Sequence, residues 1–252
     1  MPDSLLPENV FGFLLIFTRV GAILMVAPAL GEFSVPARIR LAIALMTTLV
    51  LLPVVSASLP VLPDSFLGTG LVIIGEIMVG LLIGGIARMI LSALHVGGSV
   101  IAFQTGLAAS QTFDPSQGVQ AAIVASFLTL LGVVMIFATD SHLLILKAIS
   151  NSYILFPPGH LPPVGDFAQL AIKEISSSFA LGIQISAPFI VYGLVFYIGL
   201  GLIARLMPQL QVFFIAMPLN IFLGFVLLLF LVSGIMMWFI QHFQDGLMPF
   251  LR

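Results

Sequence analysis

Residues 66–94, FLGTGLVIIGEIMVGLLIGGIARMILSAL, hold only two charged side chains, Glu76 and Arg88, in 29 positions. A helix crosses the hydrocarbon core of a bilayer with about 20 apolar residues, so this block has turns to spare. It is apolar all round, without the alternation over about 10 residues that marks a transmembrane β-strand. Five further blocks read the same way: Val10 to Leu30, Ile39 to Leu59, Val119 to Thr139, Phe179 to Ala204 and Val212 to Ile240. The segments between them are too short and too apolar for a separate soluble domain. The expectation is an all-α, multi-helix integral membrane protein. It has one membrane-embedded domain over residues 1–252, with about six long hydrophobic helices, kinks and a short amphipathic segment.

Composition agrees. Charged residues make up 7% of the chain, against about 25% in soluble proteins. So few ionic groups hydrate only a small surface, and the rest must meet lipid or other apolar protein. Cysteine is absent, which excludes disulfides, thiolate nucleophiles and zinc-thiolate sites. A formal net charge of −2 without a basic stripe leaves no electrostatic footprint for nucleic acid. The amino-terminal block is preceded by Asp3 and Glu8 and contains Arg19. A secretory signal has a basic start and a shorter apolar run, so this block reads as a retained helix despite Ala27-Pro28-Ala29. Arg38 and Arg40 follow it, and basic residues favour cytoplasmic helix ends; both termini are therefore expected outside.

Proline and glycine punctuate the rest. Pro28 and Pro36 bracket the first turn, and Pro53, Pro60 and Pro63 the second. Pro188 should kink the fifth helix, because proline removes one helix hydrogen bond and crowds the preceding turn. Between Asp140 and Ser178 the pattern is mixed, with a short helix expected through Ser150 and an amphipathic piece from Phe167 onward. Gly80 and Gly84 have GxxxG spacing, which puts both on one face and admits a neighbouring helix backbone.

Charge inside the apolar blocks is the expensive feature. Arg19 lies near the middle of the first block and Glu76 inside the third. An unpaired charge at mid-bilayer costs at least about 2.5–3.5 kcal/mol, so both must face protein or water. An Arg19–Glu76 pair between helices is one solution; a helix end or a backbone partner is the other. Asp140-Ser-His142 supplies two potential ligands where zinc takes three or four. Its expected role is local, with Asp140 capping the next helix and His142 bonding nearby backbone. No catalytic residue, metal site or cofactor site follows from the sequence.

One connecting stretch stands apart. From Gly97 to Gly118 the residues are small and polar, with Asp114 the only charge. Read as a loop, its backbone cannot face lipid, where its amides would be unsatisfied. It needs water, buried protein or a polar cavity.

These landmarks resemble, in order and spacing, the FliR/SctT family of type III secretion export-gate subunits, its flagellar members above all. The likeness runs through Phe17-Thr-Arg19, Ala27-Pro28, Gly31 and Val35-Pro36-Ala-Arg38-Ile-Arg40. It continues through Glu76-Ile-Met-Val-Gly80, Asp114-Pro115, Thr139-Asp140-Ser-His142, Pro188 and Arg205-Leu-Met-Pro208. The short end at Arg252 argues against a fused FlhB domain. The resemblance implies a non-enzymatic subunit built into a larger helical gate with FliP-like and FliQ-like subunits, joined by FlhB-like and FlhA-like components. The gate would stand in the bacterial inner membrane at the flagellar basal body, drawn largely out of the lipid plane, and pass unfolded flagellar proteins. It also implies a pore plug at Gly106, Leu107, Ala108, Ala109, Ser110, Gln111, Thr112, Phe113, Asp114, Pro115, Ser116, Gln117 and Gly118. A stand-alone secondary transporter is the first alternative, although no repeated halves of the transporter kind are visible. An intramembrane enzyme, with Asp140 and His142 as its only candidates, is the second.

If Arg19 and Glu76 pair, reversing either charge impairs assembly, and reversing both restores part of it. Co-purification of the tagged variants with their partner subunits measures this. No recovery in the double reversal removes the pairing.

Overall fold

The computed structural model describes residues 7–32, 35–107, 122–160, 163–207 and 212–251. Among them are seven α-helices: α1 (Pro7–Val26), α2 (Ala37–Val55), α3 (Phe66–Gln104), α4 (Ala122–Ala138), α5 (His142–Leu155), α6 (Val164–Leu206) and α7 (Val212–Leu247). Single 3-10 turns follow α2 at Ser56–Ser58 and α7 at Met248–Phe250, and no strand occurs among the described residues. Helices prevail for a physical reason: away from water, a helix is the segment that satisfies its own backbone. Five of them, α1, α2, α3, α6 and α7, are long and apolar enough to cross a membrane. The pair α4 and α5, bent by 71°, makes a sixth candidate.

Three boundaries differ from the sequence reading. The third block does not stop at Leu94; α3 runs on to Gln104, so Gly97 to Gln104 is helix and not loop. Close packing explains it. A Cβ built on Gly97 would meet Gly182 O at 3.0 Å, and one on Gly98 would meet Ala125 Cα at 2.5 Å. These glycines admit neighbouring backbones. The amphipathic piece expected from Phe167 is the opening of α6, continuous with the fifth block through Pro188. Pro53 likewise lies inside α2 and not between helices.

The Asp140-Ser-His142 corner corrects a further expectation. Asp140 does not cap α5: Ser141 holds the N-cap position, and no side chain bonds the helix start. Asp140 instead adopts φ +55°, a left-handed conformation that aspartate tolerates better than most residues. That residue turns the chain between α4 and α5. The corner is tied by Thr139 Oγ1 and Ser141 Oγ at 2.8 Å, with Gln244 Nε2 donating to Ser141 Oγ at 3.1 Å.

The chain divides into two compact units. The first comprises Met1–Ile90, Phe137–Ile175 and Phe243–Arg252; the second comprises Leu91–Ile136 and Ser176–His242. In the first unit, Leu15, Ile16, Val20 and Ile23 of α1 and Ile83, Ala87 and Ile90 of α3 are fully buried. In the second, Leu94, Ala125, Leu128, Phe189 and Phe239 are fully buried.

The glycines of α3 give a direct check on this packing. Gly98→Leu, aimed at the α4 backbone, should sharply reduce the yield of folded protein in detergent. Gly85→Leu, with nothing within 4 Å of the added carbon, should leave it near the parent level. Equal yields on size-exclusion chromatography would contradict the helical packing of residues 97–104.

Candidate functional site

Within the first unit, the spacing of α3 brings the two buried charges together. Glu76, Gly80 and Gly84 recur every four residues and so share one helix face. A Cβ on Gly80 would meet Ala22 Cβ at 2.6 Å and Arg19 O at 2.7 Å; one on Gly84 would meet Ile23 O at 2.7 Å. Without side chains at both positions, α1 settles directly onto α3. That contact sets Arg19 beside Gly80, one turn from Glu76.

Arg19 is 1% exposed and Glu76 2%. Arg19 Nε donates to Glu76 Oε2 at 2.6 Å, and Nη2 donates to Glu76 Oε1 at 3.0 Å. The remaining donors turn to α5: Nη1 to Ser152 O at 2.9 Å and Ser152 Oγ at 3.1 Å, and Nη2 to Phe156 O at 2.9 Å. Arginine carries five N–H donors in a fixed fork, and these bonds use all five. The Tyr153 ring lies under the guanidinium, 4.2 Å from its carbon, adding a cation–π contact. Ser152 Oγ in turn donates to Ile149 O at 2.7 Å.

The chemistry of this centre is cohesive. Ser152 O and Phe156 O belong to the carboxyl end of α5, where the helix dipole favours a cation; Ser152 O accepts the Phe156 N–H at 2.9 Å and takes the Arg19 bond on its second lone pair. Arg19 therefore meets both alternatives foreseen for it, a carboxylate and a helix end. Glu76 has both oxygens on Arg19 and serves as its counter-charge. Elsewhere in the first unit, Arg40 Nη2 donates to Glu32 O and Val35 O, both at 3.1 Å, and Arg88 Nη1 lies 2.9 Å from Glu32 Oε1. The Arg88–Glu32 pair is partly exposed, and such pairs contribute little stability.

His142 stacks on Phe137 with ring centroids 5.0 Å apart, while its buried Nδ1 has no hydrogen-bond partner. The expected bond from that ring to backbone is not made at Nδ1. Of the plug stretch, Gly106 and Leu107 are described; Ala108 through Gly118 lie outside the described residues. Ser152, Tyr153 and Phe156 escaped the sequence reading. Backbone carbonyls leave no sequence mark, and the two serines in the last turns of α5, Ser150 and Ser152, do not single out the one that bonds.

Residues 10–246 match the family model described as bacterial export proteins, family 1. The chain belongs to this family. It is 41% identical over 231 residues, 92% of each chain, to a protein of Caulobacter vibrioides named flagellar biosynthetic protein FliR. It is 30% identical over 226 residues to the FliR of Bacillus subtilis, covering 88% of this chain and 86% of that one. A protein of Yersinia pestis named Yop proteins translocation protein T is 26% identical over 224 residues, 87% of this chain and 85% of its own. Relatives in this export family thus carry names from flagellar biosynthesis and from protein translocation, none of them an enzyme name. Membership in the family and the apolar helices together describe a membrane component of a protein-export apparatus.

The fork geometry makes a sharp prediction. Arg19→Lys keeps the charge but cannot span two carboxylate oxygens and α5 together, so it should lose much of the ~3–5 kcal/mol that follows from breaking a buried pair. Ser152→Ala removes one acceptor and should cost about 1 kcal/mol. Thermal unfolding in detergent measures both, and an Arg19→Lys protein as stable as the parent would refute the fork.

Proposed function

We propose that this chain is a non-enzymatic subunit of the flagellar type III secretion export gate, helping to form and plug the pore that passes unfolded flagellar proteins. It works in the bacterial inner membrane at the flagellar basal body, beside FliP-like and FliQ-like subunits, with FlhB-like and FlhA-like components joining them. Membership in the export family, with a FliR relative 41% identical over 92% of the chain, carries the reading.

The surface supports it. Leu229 and Phe230 on α7 are 74% and 75% exposed, and Leu206 at the end of α6 is 80% exposed. Large apolar side chains stand out along α2, α6 and α7 as well as in these positions. Burying apolar surface gains roughly 25 cal/mol per Å², so such faces must be covered by acyl chains or companion subunits. The Arg19–Glu76–α5 centre then has an assembly role: it holds α1, α3 and α5 in one register, so that the outer faces reach partners already shaped. Gly80 and Gly84 serve the same end by seating α1.

The plug role of Gly106 to Gly118 belongs to this proposal. Its small residues permit close packing in a shut pore, and Asp114, its only charge, gives few strong contacts that would lock it there. Deleting part of 106–118 should leave co-purification with partner subunits intact while the membrane becomes leaky to ions or small solutes. Flux from vesicles carrying the assembled complex measures this, and an assembled deletion variant without leak would overturn the plug.

A further inference from the structure

Within the second unit, α3 ends against two other helices at one polar point. Gly106 takes φ +79°, and its N–H donates back to Phe103 O at 3.2 Å, the pattern of a glycine-terminated helix. Thr105 N and Thr105 Oγ1 both donate to Ile101 O, at 3.0 Å and 2.9 Å. A helix leaves its last four carbonyls without intrahelical partners. Here the final one, Gln104 O, accepts from Asn220 Nδ2 of α7 at 3.3 Å. Asn220 is 3% exposed. Its other amide atom, Oδ1, accepts from Tyr192 OH of α6 at 2.8 Å, which fixes the amide with its N–H toward Gln104.

A second observation points to the same place. Three glycines surround this end of α3. A Cβ on Gly106 would lie 3.1 Å from Asn220 Nδ2, Gly224 faces the short Thr105 side chain too closely to admit a Cβ, and Gly193 lies against the amide of the Gln104 side chain. The helix end is thus seated on α6 and α7, and the one carbonyl of its last turn without a local partner among the described residues, Gln104 O, is met by one amide. Asparagine inside an apolar helix is costly unless paired, and this one is paired on both sides.

We infer that Asn220, oriented by Tyr192, is a positioning residue that ends α3 and fixes the direction the chain takes at Gly106. Its consequence for export rests on the plug reading above; the positioning itself does not.

The chain has no cysteine, so Leu107→Cys places a single thiol one residue past Gly106. Its labelling rate with a maleimide is read in vesicles carrying the assembled complex. Tyr192→Phe, which removes only the hydroxyl, and Asn220→Leu should each speed labelling several-fold. The two together should do no more than Asn220→Leu alone, because they act through one amide. Phe239→Leu, which loosens the buried core of the same unit away from this point, should leave the rate unchanged. An unchanged rate with Tyr192→Phe, or an equal rise with Phe239→Leu, overturns the inference. If the 106–118 deletion fails to leak, the plug reading falls, while the labelling still decides the role of Asn220.

Discussion

A guanidinium removed from water must have its donors met, and that requirement organises the first unit. Arg19 spends two donors on Glu76 and three on the end of α5. No single partner could do this: a carboxylate takes two parallel N–H groups, and the others need carbonyls presented from another side. A helix terminus supplies them where no water can. The result joins α1, α3 and α5 at one point, with Tyr153 closing a face of the cation. Such a centre is weak evidence for stability, since well-packed apolar residues often do as well as a buried ion pair. Its value lies in register. A slide of α1 along α3 by one turn would strand a charge, whereas apolar side chains would tolerate the same slide at little cost.

The same economy recurs in the second unit with neutral groups. Hydrogen bonds between membrane helices average only about 0.6 kcal/mol, so the Tyr192–Asn220–Gln104 chain adds little to stability. It adds direction. Glycines let the backbones close, and one amide then settles where the α3 helix stops. In both units, small residues bring helices together and a few polar atoms choose the register. Lipid and partner subunits are left to cover the exterior, where apolar side chains are plentiful and undirected.

Much of this was legible in residue types. Charge inside an apolar block is costly enough that Arg19 and Glu76 announce themselves, and the four-residue spacing of Gly80 and Gly84 marks a packed face. The acceptors on α5 were hidden because a backbone carbonyl has no sequence signature. Gly97-Gly98-Ser99 misled for another reason. Glycine is a turn residue where water competes for the backbone, yet in α3 it is an interface residue held helical by Ala125 and Gly182. Asp140 was mistaken for a cap because a left-handed aspartate and a capping aspartate look alike in sequence. Asn220 was legible in principle, as a lone amide in a long apolar block, but nothing in the chain shows which carbonyl it meets.

The central claim is that every N–H of the Arg19 side chain is bonded and shielded from water. Hydrogen exchange of arginine side-chain Nε–H groups, followed by ¹⁵N NMR on the detergent-solubilised chain, tests it most directly. Arg38, exposed on α2, provides the internal comparison. One slowly exchanging Nε–H signal that vanishes in Arg19→Lys, against fast exchange at Arg38, is the result expected. An Arg19 signal exchanging as fast as that of Arg38 would contradict the account.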